Sequence, residues 1–292
     1  MAFMDWEWVV LMTRWLVYLC ISGAVGGLAS FCLFKRFPAL FPLLLRYSIA
    51  ACVMGFVATG LHFLVRVGAL AETGFSGMFD PLMMSVLWGS SVGEATLYRL
   101  IGFGVLILSM IASRKSVYSG ASFMFYVASL GCVLIAISFT KTGHIAQMSL
   151  LSSVLLTAHI LLTFWWMGSL YPLWIAARRL APQESSHVMH VFGKVAVVVV
   201  VGLVVCGGVL SYQLTGWVGL LGSEYGFWLL LKIALVGLIL VLAGVHKLFL
   251  VPAILTNNNA QRLATSLLFE KLLGMSILAV TTVLTTLVGP AH

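Results

Sequence analysis

Residues His190–Gln213 read HVFGKVAVVVVVGLVVCGGVLSYQ, and Lys194 is the only formally charged residue in that run. About twenty apolar residues, at about 1.5 Å of helical rise each, cover the roughly 30 Å of a bilayer's hydrocarbon core. The run is therefore a membrane-crossing helix. Similar stretches lie near 8–34, 43–70, 95–113, 117–140, 150–177, 225–250 and 265–288. The chain of 292 residues is 62% hydrophobic and only 8% charged, with a mean hydropathy of +1.12. Soluble domains carry about three times that share of charge. The sequence predicts an all-α polytopic bundle of about eight transmembrane helices in one transmembrane domain, with the lipid bilayer as its main solvent.

Polar punctuation separates these runs, and its charge orients them. Lys35, Arg36, Arg46, Arg114, Lys115, Arg178, Arg179, Lys247 and Arg262 fall in connections one, three, five and seven. Cytoplasmic connections carry the excess of Lys and Arg, so both termini are expected outside. The net charge of +8 thus reports topology, and no nucleic-acid partner is expected. The N-terminal MAFMDWEWVV has acidic residues before its apolar run and reads as the start of span one, not a signal peptide. Five scattered cysteines without a C-x-x-C pair read as small buried hydrophobes.

An internal repeat is visible at low contrast. Ser90-x-x-Gly93 followed by Arg99 aligns with Ser223-x-x-Gly226 followed by Lys232, and Arg14-x8-Gly23 aligns with His159-x8-Gly168. Copies four spans apart share an orientation, so the pattern predicts a parallel 4+4 arrangement with halves of about 1–140 and 141–292.

Ionisable residues inside a span cost at least about 2.5–3.5 kcal/mol at its centre on insertion scales and are functional candidates. His159 lies about ten residues into span five and His62 about nine residues from the outer end of span two, both about 13–15 Å deep. His144 and Met148, four apart at the outer end of span four, would share a face if helical. Imidazole and thioether suit copper, the thioether favouring Cu(I) over Cu(II). Met78, Met83 and Met84 add thioethers in the outer connection, or serve as filler there. On the inner side, His187, His190 and His246 form either a release site or solvated helix ends. Glu270, beside Lys271, is expected to be ion-paired or to face the bundle interior. Arg99 and Lys232 either snorkel outward or pair with buried acids. Trp166 falls near the face of His159, and Gly168 permits close helix approach. No Walker loop, dinucleotide fingerprint or H-E-x-x-H is present, so the chain is not expected to be an enzyme.

From Gly143 to Pro290 these residues resemble the copper resistance protein D (CopD) family of bacterial inner-membrane proteins. Gly143-His144-x-Ala146, His159 with Trp166-Met167-Gly168, and Ser223-x-Tyr225-Gly226 with Leu229 and Lys232 carry the resemblance. Val251-Pro252, and Glu270 with Gly274 and Pro290, complete it. His246 stands where that family usually has Asn. The resemblance implies copper handling across the inner membrane, generally as import toward the cytoplasm, and a periplasmic CopC-like copper-binding partner.

Two functions follow. In the first, copper is captured at His144 and Met148, passed to His159 with or without His62, and released near the basic inner face. In the alternative, His62 and His159 are axial ligands of a b-type haem in a membrane electron carrier or reductase.

Overall fold

The computed structural model describes residues 6–115, 121–143, 149–257 and 260–288. Among them are ten α-helices and no strand. They are α1 (Trp6–Leu33), α2 (Phe41–Ala71), α3 (Pro81–Trp88), α4 (Ser91–Lys115), α5 (Ala121–Ile137), α6 (Leu150–Arg179), α7 (Pro182–Gly222), α8 (Glu224–Val245), α9 (Val251–Asn257) and α10 (Ala260–Thr286). Among the described residues eight helical segments are long and apolar enough to cross a membrane, matching the eight anticipated from the sequence. Exposed Leu, Val, Ile and Phe side chains cover the bundle's flanks, as at Val198, Leu108 and Phe269, which suits lipid and not water.

The helices form two rings. In one, α1 packs on α2, α2 on α4, α4 on α5, and α5 back on α1. In the other, α6 packs on α7, α7 on α8, α8 on α10, and α10 back on α6. The rings meet through α1 against α6, with α1 also touching α10 and α5 touching α6.

Small residues set this geometry. The stretch Ile21–Ser30 (ISGAVGGLAS) gives α1 nearly smooth faces. Gly23 and Gly27, one turn apart, meet α2 at Ala51 and Ser48, while Gly26 meets the backbone of Gly168 on α6. A Cβ on Gly168 would collide with the Ser22 carbonyl. Within lipid, helix association rests on such packing, because the tails are as apolar as the side chains.

Pro172 lies inside α6. Its missing N–H leaves the carbonyl four residues back, that of Gly168, without its helical donor. The Tyr47 hydroxyl on α2 donates to that oxygen at 3.1 Å. The helix junction and the proline break therefore share one residue.

The connection 72–94 contains structure that spacing alone did not predict. A 3₁₀ segment, Gly74–Phe79, leads into α3, whose first turn has Pro81 and an Asp80 cap accepting from the Met83 N–H at 2.9 Å. Met78 is buried against Val10 and Val65, and Met83 and Met84 pack on Phe63, Val67 and Leu87. These methionines are core filler. Of the cysteines, Cys20, Cys52, Cys132 and Cys206 are buried and Cys32 is exposed.

Gly168→Ala is expected to destabilise the protein by about 1–3 kcal/mol through overpacking at the α1–α6 crossing. Gly237→Ala, where a Cβ meets nothing within 4 Å, should be neutral or stabilising. Thermal unfolding of both variants in detergent checks the contrast.

Candidate functional site

Helix α8 ends at Val245 and continues through a π-helical segment, His246–Leu250, in which the Val251 N–H reaches back to the His246 carbonyl. The next residue is Pro252, whose ring an ordinary α-turn would press against the carbonyl four residues back; the wider turn relieves this. The widening presents His246 to α10. Its Nδ1 lies 2.9 Å from Glu270 Oε2 and its Nε2 lies 2.6 Å from Ser266 Oγ. Ser266 and Glu270 are four apart and so share a face of α10. From α6, Trp166 Nε1 donates to Glu270 Oε1 at 3.1 Å.

This four-residue network is closed. His246 is 7% exposed and Glu270 2%, and both imidazole nitrogens and both carboxylate oxygens have partners. A neutral imidazole fits it by donating from Nδ1 to the carboxylate and accepting the Ser266 hydroxyl at Nε2. A metal would bind His246 only by displacing Ser266 or Glu270. The expected partner of Glu270 is thereby settled as His246. Neighbouring Lys271 turns instead to the Tyr171 ring, 5.0 Å from its centroid.

His159 is placed differently. It lies in the middle of α6 facing α7, where a Cβ on Gly207 would stand 3.1 Å from the ring. Its Nδ1 is buried without a hydrogen-bond partner, although the Leu203 backbone is beside the ring. Lys232 of α8, partly buried, is near enough to act on it electrostatically. A buried imidazole nitrogen that completes no hydrogen bond is an available ligand, and neutral imidazole is the commonest metal-binding side chain.

At the end of the bundle that carries both described termini lies a cavity of about 1430 Å³. His62 lines it, with Nδ1 2.9 Å from Thr13 Oγ1. Arg14, Arg66 and Arg99 line it too. Arg99 is only 5% exposed; its Nε donates to Ser138 at 2.8 Å and its guanidinium stacks 4.7 Å from the Phe139 ring centroid. No carboxylate pairs with it among the described residues, so neither snorkelling nor a buried acid explains it. Near the rim Lys141 pairs with Glu94 at 2.7 Å, and that hydrogen bond raises the lysine's pKa above its ordinary value.

His62 and His159 thus belong to separate interfaces, the first among α1, α2 and α4 and the second between α6 and α7. The matched depths seen in the sequence do not bring them into one site, and a haem bridging the two finds no support here. His187 and His190 are exposed near the start of α7. His144 and Met148 lie outside the described residues. Among the described residues no group of three or more His, Cys, Asp or Glu side chains converges as a metal site. Sequence reading passed over Arg66 altogether, along with Tyr47, Thr13 and Ser266. The in-span charge of Arg66 was the signal that could have found it.

Eight spanning-length helices around buried polar residues define a polytopic α-helical membrane protein. The family model for copper resistance protein D matches residues 186–284, 99 of the 292 residues, and through this stretch the chain is similar to that family. The match runs from the start of α7 through most of α10 and includes His246, Ser266 and Glu270, while His159, Trp166 and Gly168 precede it. No curated protein and no solved structure matches the chain.

His246→Ala leaves Glu270 buried with only the Trp166 donor and is expected to cost roughly 1–3 kcal/mol. Glu270→Gln, which keeps an acceptor for Trp166, should cost less. Equal unfolding temperatures for wild type and His246→Ala would mean that the pair adds nothing to stability.

Proposed function

We propose that the chain transports copper across the inner membrane, from the periplasmic face toward the cytoplasm, and catalyses no reaction. The observation that carries this reading is the copper resistance protein D match over 186–284. A copper-family segment there contains the one buried His–carboxylate pair among the described residues.

In this reading copper is captured at the outer face by His144 and Met148, on their sequence chemistry, and a CopC-like periplasmic protein is the natural donor. His159 is the transfer ligand, because its Nδ1 is buried and unengaged. The nearby Lys232 ammonium opposes a bound cation. That suits a transfer site, which must bind well enough to accept cargo and weakly enough to release it. His62 is left out of the relay, since Arg14, Arg66 and Arg99 share its cavity and repel a bare cation. Release follows near the basic inner loops. The His246–Glu270 pair supports the inner half of the path either by exchanging its hydrogen bonds for copper or by holding a proton as copper passes. The two-ring packing of the helices supports a parallel pairing of the halves, with His159 on α6, the helix by which the second ring meets α1.

His159→Ala should abolish copper accumulation in cells expressing the protein, while the purified variant keeps its helical content and elution volume. Uptake equal to wild type in a folded His159→Ala variant would end the transport reading as drawn here.

A further inference from the structure

The cavity at the terminal end of the bundle has a charge pattern that copper handling does not use. Counted along the helices at about 1.5 Å per residue, Arg66 lies about 8 Å from the end of α2. Arg14 lies about 12 Å from the start of α1, and Arg99 about 12 Å from the start of α4. All three guanidiniums border one space of about 1430 Å³. Two acids border it as well, Glu7 and Glu72, but both are exposed at the mouth and neither pairs with an arginine. The floor is therefore cationic and the carboxylates are confined to the rim.

The arginines are not consumed by the protein itself. Arg14 is the most committed, with Nε on the Tyr18 hydroxyl at 3.0 Å and one terminal nitrogen on the Thr285 carbonyl and Thr286 Oγ1 at 3.1 and 2.9 Å. Arg99 spends only Nε, on Ser138, so its four terminal N–H donors have no protein acceptor among the described residues. Arg66 is partly buried and has no hydrogen-bond or carboxylate partner among them. A desolvated guanidinium without an acceptor is costly, and three facing one another are costlier. Guanidinium presents a planar fork of donors that matches carboxylate and phosphate oxygens. Ser91, also on the wall, adds a hydroxyl donor, while the Thr96 hydroxyl donates to the Val92 carbonyl at 2.8 Å and can only accept.

We propose that this cavity is a binding site for an oxyanion, a carboxylate or phosphate group held by Arg66 and Arg99 with Arg14 behind them. The inference does not rest on the copper reading and survives whatever the cargo is. The same chemistry is offered by a free polycarboxylate or phosphate and by the headgroup of an anionic lipid whose tails lie along the bundle. The size of the space admits either.

The test uses the purified full-length protein in neutral detergent, with Trp6 at the cavity wall as a fluorescent reporter alongside calorimetry. Citrate and inorganic phosphate probe the free oxyanion; short-chain phosphatidylglycerol against phosphatidylcholine probes the headgroup. One arm should saturate, weaken with added salt, and lose about tenfold or more in affinity in Arg66→Gln, with Arg66→Lys retaining part of it. Arg66 makes no bond whose loss would unfold the bundle. Should Arg66→Gln nonetheless fail to fold, salt-insensitive binding by wild type would overturn the proposal. So would the absence of saturable binding by all four probes, or affinity unchanged in a folded Arg66→Gln.

Discussion

The backbone contact between α1 and α6 at Gly26 and Gly168 is the constraint on which the rest of the bundle depends. In lipid, no hydrophobic force draws helices together, so the depth of their approach decides how much packing they gain. The crossing joins the two four-helix rings, α1 from one and α6 from the other. Tyr47 fastens it from α2 by donating to the carbonyl that Pro172 leaves free. Toward its N-terminal end α1 is tied to α10 as well, through Trp15 to the Met275 carbonyl at 3.1 Å and Arg14 to Thr285 and Thr286.

That junction also separates two chemical environments. On the side of the basic loops, Trp166 on α6, two residues before Gly168, points its indole N–H at Glu270 and so joins the His246–Ser266 network to the crossing helix. A single turn of α6 thus sets both the helix approach and a ligand of the buried carboxylate. On the terminal side, α1, α2 and α4 diverge enough to leave the arginine-lined cavity. One end is a closed, fully satisfied polar network; the other is an open space with cationic donors to spare. The contrast carries functional content, because satisfied buried networks fix structure whereas unsatisfied donors call for a ligand.

His159 sits between these regimes. It is buried on α6 against Gly207 of α7 and has an unengaged nitrogen. Gly207 supplies the room: any larger side chain there would press on the imidazole. A glycine within an apolar run is thus spent on accommodating a ring, as Gly26 is spent on accommodating a backbone.

The sequence by itself determined the eight spans, their approximate limits, and the small-residue character of α1 and Gly168, because a bilayer imposes a length and a polarity that each segment must meet alone. It also marked Glu270 as a carboxylate that must be ion-paired or face the interior, since an apolar helix surface offers it no solvation. Only the tertiary structure decided which groups meet. Residues 246 and 270 pair because a π turn before Pro252 re-aims the histidine, and a one-residue change in helical phase leaves little trace in composition. His62 and His159 share a depth but not an interface, because depth follows from counting residues while azimuth depends on how neighbouring helices pack. Arg14, Arg66 and Arg99 come from three different helices, and their convergence on one cavity became visible only when those helices were set side by side.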